Sequence, residues 1–145
     1  MVGLVRELAE YERAPDQVEL EADQLAEALF GDGPQVFAHV AEHGGQVVGM
    51  AVWFVSFSTW TGHHGIYLED LFVRPAARGL GAGRALVAEL ARVALARGYT
   101  RVEWSVLDWN EPAIGFYRHL GAGAKDDWTV FRLAGTDLTN LAAPV

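Results

Sequence analysis

The segment from Val73 to Gly83 constrains the fold of this chain more than any other part of its sequence. It reads VRPAARGLGAG and stands between an apolar run and a long amphipathic stretch that begins at Arg84. A strand, a tight loop and a helix in this order form the repeating unit of α/β proteins. The start of such a helix leaves N–H groups unpaired and carries partial positive charge, so glycines there let an anion approach the backbone. The segment predicts either an anion-binding loop or a plain β-to-α turn.

Two common nucleotide-binding motifs do not fit this loop. A P-loop closes on Lys followed by Ser or Thr, whereas this loop closes on Gly-Arg-Ala. The dinucleotide fingerprint G-x-G-x-x-G requires a third glycine at the sixth position. That position is Arg84 when counted from Gly79 and Leu86 when counted from Gly81. Both readings are therefore excluded.

Hydrophobic periodicity predicts helices and strands along the whole chain. The predicted helices comprise residues 3–13, 21–30, 84–97 and 110–119, and the predicted strands 36–42, 47–57, 66–73, 101–106 and 128–133. Residues 136–145 are expected to pack partly through Leu138 and Leu141 before they fray. This order predicts an α/β fold with a mixed, mostly antiparallel sheet and helices on both of its faces. We find no linker or repeat, and we expect a single domain over residues 1–145.

Composition excludes several classes of function. The 145 residues include no cysteine, so the chain has no disulfide, thiolate metal site or cysteine nucleophile, which fits a reducing compartment. No apolar run reaches the 18 residues that a membrane span needs. Because charged residues lie near the start, we expect no secretory leader. The net charge of −8 argues against nucleic acid as a partner. A negative net charge either serves solubility alone or also favours a cationic substrate. We expect a cytoplasmic protein.

The adjacent histidines His63 and His64 suggest a metal site at first reading. Neighbouring histidines bind metal poorly without a third ligand at suitable spacing, and no nearby Asp, Glu or His supplies one at such a spacing. We therefore predict that the chain holds no metal.

The glycine loop follows the pattern Arg/Gln-x-x-Gly-x-Gly/Ala and resembles the pyrophosphate-binding motif of the GNAT superfamily of acetyl-CoA-dependent N-acetyltransferases. Three further stretches resemble one branch of it, the diamine (spermidine/spermine) acetyltransferases and their thialysine-acetylating relatives. They are ELAEYE at 7–12, YLEDLFV at 67–73 and WNEPAIGFY at 109–117, and the similarity extends over residues 4–141.

The resemblance implies where acetyl-CoA binds. The strand before the loop would offer main-chain groups to the pantetheine arm and to the thioester carbonyl, whose developing oxyanion needs a fixed donor. Asn110 opens a second contacting turn, although a plain helix N-cap explains the same residue, and both roles can hold. The implied cofactor-binding residues are Leu71, Phe72, Val73, Arg78, Gly79, Leu80, Gly81, Ala82, Gly83, Arg84, Asn110, Glu111, Pro112 and Ala113.

Two residues match the catalytic positions of the family. Tyr117 matches the tyrosine that protonates the departing thiolate, and its alternative role is that of a half-buried aromatic. Glu69 matches the carboxylate that deprotonates the amine through water. Because Glu69 and Asp70 are adjacent on a strand, they should point to opposite faces. We expect Glu69 to face the cleft and Asp70 to be its structural partner.

The acceptor implied by the resemblance is a small amine with a second charge, such as a diamine, a polyamine or a thialysine-like amino acid. Tyr11 and Glu12 match residues near the polyamine, and Asp127 or Asp126 falls near another acidic position, although surface acids are often merely solvated. Two alternatives stay open: an acetyltransferase for another amine (antibiotic, amino acid or protein N-terminus), and a CoA-binding regulatory module without turnover. The family further implies a homodimer.

Two features depart from the family pattern. GNAT chains usually open with a strand, and here too few residues precede the first helix. Either the start of the chain is assigned late or the sheet lacks this edge, in which case strand 36–42 should be covered by a partner or marginally ordered. The loop at 58–65 also differs from the polyamine enzymes, which leaves the acceptor open.

Overall fold

The computed structural model describes residues 1–143 and contains a four-stranded sheet with the strand order β1-β2-β3-β4. Strands β1, β2 and β3 are antiparallel, and β4 runs parallel to β3. This confirms the mixed, mostly antiparallel sheet. The elements are α1 (Val2–Tyr11), α2 (Ala22–Phe30), β1 (Phe37–His43), β2 (Gln46–Ser58), β3 (His63–Val73), α3 (Ala82–Ala96), β4 (Val102–Glu103), α4 (Glu111–His119) and α5 (Gly135–Ala142), with short 3-10 turns at Pro15–Gln17 and Pro75–Ala77.

The sheet carries one helix on each face, as predicted. Helix α3 packs its apolar stripe on one face, in a buried layer made by Ala51, Trp53, Ile66, Leu68, Leu86, Leu90 and Ala94. Helix α1 packs on the other face, in a layer made by Leu4, Met50, Val52 and Phe72. Both layers contain side chains of β2 and β3, because successive residues of a strand point to opposite faces of the sheet.

The β2–β3 ladder contains a bulge at Glu69. Val52 pairs with Asp70 and Trp53 pairs with Leu68, so Glu69 has no partner across the ladder. The extra residue changes which face the following side chains occupy. Leu68 lies in the layer under α3, whereas Asp70, opposite Val52, lies on the α1 face.

Beyond the bulge, β3 has an open edge. Its pairing with β4 is limited to Ile66 and Tyr67, and among the described residues no strand pairs with the following part of β3 on that side. The N–H of Arg74 donates to a carbonyl of β2. Because main-chain groups alternate sides along a strand, those of Leu71 and Val73 point away from β2, toward the open edge.

Three predictions near the end of the chain are wrong or shortened. Residues 128–133 form no strand, because no other strand pairs with them in the described part of the chain. The backbone at the start of this segment forms a turn, in which Trp128 N–H donates to Lys125 O. The predicted strand at 101–106 is reduced to the two residues of β4. The tail instead forms α5, in which Leu138 and Leu141 are 53% and 74% exposed; residues 144–145 lie outside the described part.

The chain divides after Leu107 into two compact units. The first contains the sheet with α1, α2 and α3, and the second, which begins at Asp108, contains α4 and α5. Within residues 1–143, no helix is both long enough and apolar enough to cross a bilayer.

Candidate active site

The glycine loop at the start of α3 has the backbone geometry of an anion cradle. Gly79 and Gly81 have φ angles of 81° and 85°, a backbone conformation that strains other residues, and no atom lies within 4 Å of where a Cβ would stand. The first backbone bond of the helix is Ala85 N–H to Gly81 O. The N–H groups of residues 82–84 therefore lie in the first turn, where a helix offers no partner for them. Together with the dipole of α3, they suit a pyrophosphate.

Arg78 belongs to this loop through its main chain, while its side chain extends toward α1. Its Nε–H donates to Val73 O at 3.0 Å. The guanidinium carbon lies 4.9 Å from the ring centroid of Tyr11 and 5.9 Å from that of Phe72. The side chain thus joins the end of β3 to the end of α1.

The resemblance implies cofactor binding by Leu71, Phe72 and Val73, but the main-chain groups of these three residues do not all point to the same side of β3. Leu71 and Val73 direct main-chain groups to the open edge of β3, where an amide-containing ligand could pair with them. The carbonyl of Phe72 points toward β2, and its ring is buried under α1. Of these three residues, Leu71 and Val73 therefore have main-chain groups at the open edge, and Val73 O already accepts from Arg78.

Three carboxylates gather where the bulge meets the end of α1. Burial, and after it the negative charges of Glu69 and Glu12, together raise the pKa of Asp70 to about 6. Burial also raises the pKa of Glu12. Glu69 itself is exposed. A carboxyl group with a pKa of about 6 can accept a proton near neutral pH, which is the property a general base needs.

The ion pair of Glu7 with Arg74 was not anticipated from sequence. Nε and Nη2 of Arg74 donate to the two carboxylate oxygens of Glu7 at 2.9 and 2.7 Å, and Nη1 donates to Val47 O at 3.1 Å. The bond from Arg74 is the main reason that the pKa of Glu7 is lowered. The pair connects α1 to Arg74, which lies between β3 and the glycine loop. One signal is visible in the sequence, since Glu7 opens the first stretch that resembles the family.

An aromatic pair lies on the same face of the sheet as Asp70. The rings of Phe54 and Tyr67 stack with centroids 5.0 Å apart, and the hydroxyl groups of Tyr67 and Ser105 are hydrogen-bonded at 3.0 Å. Because Phe54 follows Val52 by two residues, both point to the α1 face. The pair therefore provides an apolar wall next to the carboxylates.

The second unit holds the remaining predicted residues. Asn110 is buried and caps α4, with its Oδ1 accepting from Ala113 N–H at 3.3 Å, so the predicted N-cap is present. Tyr117 lies half-buried in the last part of α4, with its ring centroid 5.3 Å from that of Phe116. Asp127 is exposed in the turn before Trp128.

The described chain contains no metal-ligand cluster. Within residues 1–143, no three or more His, Asp or Glu side chains come together as metal ligands would. His64 instead contacts aromatic rings, with its centroid 5.0 Å from Phe57 and 5.6 Å from Tyr99.

The loop, the bulge and the open edge together define an N-acetyltransferase, and the chain belongs to the acetyltransferase (GNAT) family, whose profile matches residues 2–122. It is 39% identical to the thialysine N-epsilon-acetyltransferase of Bos taurus, over 98% of this chain and 89% of that protein. It is 32% identical to the human spermidine/spermine N(1)-acetyltransferase-like protein 1, over 98% of this chain but 22% of that protein. Among solved structures, an integron cassette protein from the mobile metagenome of V. cholerae is similar, with a TM-score of 0.81 and 29% identity, over 99% of this chain and 90% of that one.

Proposed function

We propose that this enzyme transfers the acetyl group of acetyl-CoA directly to a small amine with a second charge, such as a diamine, a polyamine or a thialysine-like amino acid. The observation that carries the proposal is Asp70, a carboxyl group with a pKa raised to about 6, one residue from the open edge of β3 and facing the charge of Glu12. The proposed proton acceptor Asp70, the second anionic group Glu12 and the open edge of β3 thus all belong to the first unit.

Acetyl-CoA is held mainly by main-chain groups in this proposal. The pyrophosphate accepts hydrogen bonds from the N–H groups of the loop at residues 79–84, at the positive end of α3. The pantetheine arm lies along the open edge, where Leu71 and Val73 offer donors and acceptors. A strand N–H at this edge stabilises the oxyanion that forms on the thioester carbonyl. Asn110, Glu111, Pro112 and Ala113 supply the second contacting turn.

The acceptor must lose a proton before it attacks, because an alkylammonium ion with a pKa of about 10 has no lone pair. We assign proton acceptance to Asp70, directly or through water, since its raised pKa matches the task. Glu69, which the sequence favoured for this role, then serves as the exposed charge that attracts the cation. The amine nitrogen attacks the thioester carbonyl carbon, the C–S bond breaks, and the phenol of Tyr117 protonates the departing thiolate. The second proton, which the nitrogen loses as the amide forms, restores the phenol.

The second charge of the acceptor interacts with the acidic end of α1. Glu12 and Tyr11 stand at this end, and the Phe54–Tyr67 pair provides an apolar surface for an alkyl chain. A molecule with a second cation fits a cluster of three carboxylates beside such a surface better than a monoamine does. Asp127 is proposed as a further acidic contact, in line with the family resemblance.

The product of a single incubation tests this reaction. Acetyl-CoA, thialysine and the enzyme should yield thialysine with one added acetyl group and an equal amount of free CoA, both measured by mass spectrometry. The intact protein should show no added acetyl mass, because transfer is direct. If acetyl-CoA binds while no amine is acetylated, a non-catalytic CoA-binding module is the better description.

The remaining expectations belong to the same proposal. We propose a single domain that acts in the cytoplasm as a homodimer, with neither nucleic acid nor membrane as a partner. Support comes from the family resemblance and from the net charge of −8. Light scattering on the purified protein should give twice the mass of the chain, and a monomer mass would contradict the dimer.

A further inference from the structure

Arg78 connects three parts of the first unit that have different proposed tasks: the glycine loop, the end of β3 and the end of α1. Its main chain precedes Gly79 in the anion cradle. Its Nε–H donates to Val73 O, the last carbonyl of the open edge, at 3.0 Å. Its guanidinium stacks on Tyr11, the last residue of α1, with 4.9 Å from the guanidinium carbon to the ring centroid.

The end of α1 is held in a defined conformation, so a contact with Tyr11 also acts on Glu12. Arg13 adopts a φ of 63°, and the helix closes with bonds from Arg13 N–H to Glu10 O and from Ala14 N–H to Ala9 O at 3.1 and 2.9 Å. This is the Schellman arrangement, which fixes the backbone of the last turn. Displacement of the Tyr11 ring therefore moves Glu12, the carboxylate whose charge acts on Asp70.

We propose that Arg78 is a positioning residue that couples the occupied cofactor loop to the acceptor end of α1. This rests on the proposed function. A bound pyrophosphate fixes the main chain of residues 79–84, and this fixes the start of the Arg78 side chain. The guanidinium, held at Val73 O, then holds the Tyr11 ring and with it the carboxylate of Glu12. Acetyl-CoA binding thereby prepares the acceptor site, and by reciprocity the contact with Tyr11 strengthens acetyl-CoA binding.

The chemistry of the side chain makes the coupling specific to arginine. A planar guanidinium can stack on a ring and donate along its edge at the same time, whereas a lysine ammonium provides a point charge without a stacking plane. Arg78→Lys keeps the positive charge near the loop and removes the stacked geometry. It therefore separates coupling from simple attraction between arginine and a phosphate.

A double-mutant cycle on acetyl-CoA affinity, measured by titration calorimetry without amine, tests the coupling. Tyr11→Leu should weaken acetyl-CoA binding about 3–10-fold, as expected for the loss of a cation–π contact. Tyr11→Phe keeps the ring and should retain wild-type affinity within about twofold. In the Arg78→Lys background, Tyr11→Leu should have no further effect. Independent, multiplicative losses would overturn the proposal.

A kinetic measurement adds a readout that a purely structural role would not change. At saturating acetyl-CoA, Arg78→Lys should raise the KM for the amine about 3–10-fold and leave kcat within about twofold, because Glu12 is displaced while the reacting groups are intact. A higher acetyl-CoA Kd with an unchanged amine KM would make Arg78 a phosphate ligand only. Thermal unfolding checks each variant, and Tyr11→Met replaces Tyr11→Leu if that variant does not fold. Failure of the wild type to bind acetyl-CoA would instead refute the proposed function.

Discussion

The indole N–H of Trp53 donates a hydrogen bond to Nδ1 of His39 at 3.2 Å, joining the buried centre of the sheet to its edge strand β1. Trp53 is 1% exposed, and the guanidinium of Arg97 lies 5.4 Å from its ring centroid. Burial, and then the charge of Arg97, lower the pKa of His39. The imidazole is thus kept neutral, with Nδ1 as the acceptor, and the edge strand is attached to the core by this bond.

We expect His39→Leu to destabilise the protein by about 1–3 kcal/mol, the usual cost of a buried donor left without a partner. His39→Gln keeps a side-chain acceptor and serves as the matched control. Urea unfolding at pH 7.5 measures both variants against the wild type. Equal stability of the Leu and Gln variants would mean that the indole bond does not hold β1.

Asp70 predicts a pH dependence of stability with a defined sign. Its native pKa of about 6 exceeds the unfolded value of 3.8, so the native state binds the proton more tightly. Its favourable contribution is present below pH 4 and is lost as the pH rises through 6. Asp70→Asn should therefore match the wild type at pH 4 and exceed it by about 2–3 kcal/mol at pH 8. Parallel stability curves would show that the carboxyl group titrates normally.

The same residue should control the acid limb of activity. If Asp70 accepts the proton, kcat/KM of the wild type falls below pH of about 6, and Asp70→Asn loses about 100-fold or more at neutral pH. Glu69→Gln removes a charge that raises the pKa of Asp70, so it should shift the acid limb to lower pH. If Glu69→Gln instead loses activity while the acid limb of its kcat/KM profile stays at the wild-type pH, Glu69 is the general base.

Gly49 is required by the close approach of β2 to β3. A Cβ at this position would stand 2.8 Å from Phe72 O and 3.0 Å from Val73 Cγ2. We expect Gly49→Ala to cost about 1–3 kcal/mol of stability, because the backbone of β3 must shift. Gly3→Ala, in α1 with no atom within 4 Å of its Cβ position, is the control and should stabilise by about 0.5–1 kcal/mol. Chemical unfolding measures the stability of both variants. A Gly49→Ala variant as stable as the wild type would contradict the packing argument.

Tyr117 provides the test of the leaving-group step. Tyr117→Phe should lower kcat about 100-fold or more, since general acid catalysis typically contributes at least this much. Acetyl-CoA affinity should change little, because the phenol acts only on the departing sulfur. Tyr99→Phe, at a tyrosine with no proposed role, should leave kcat unchanged. A Tyr117→Phe variant with the wild-type rate would show that the general acid is another group.

The parts of the site that were predictable are encoded by neighbouring residues. The cradle at residues 79–84 needs only glycines with positive φ and the start of an amphipathic helix, and both are visible in sequence. The cap of α4 by Asn110 is likewise a local signal. Such features depend on adjacent residues, and the structure contains the positive-φ glycines, the start of α3 and the Asn110 cap.

The parts that were not predictable depend on pairing between distant residues. Leu-Glu-Asp-Leu looks like an uninterrupted strand, and only its register against β2 reveals the bulge at Glu69 and the face that Asp70 occupies. Glu7 and Arg74 are 67 positions apart and carry no local sign of their ion pair. The apolar pattern at residues 128–133 indicated β-propensity, which cannot supply a partner strand.

The most direct test of the central claim is thiol release from acetyl-CoA, followed with a disulfide-exchange dye across a panel of amines. The chain has no cysteine, so the enzyme adds no background. We predict rapid release with putrescine, spermidine or thialysine and little release with monoamines of matched length, because only the former carry a second cation for the acidic end of α1. Equal release with monoamines, or release with none of these amines, would contradict the account of the acceptor.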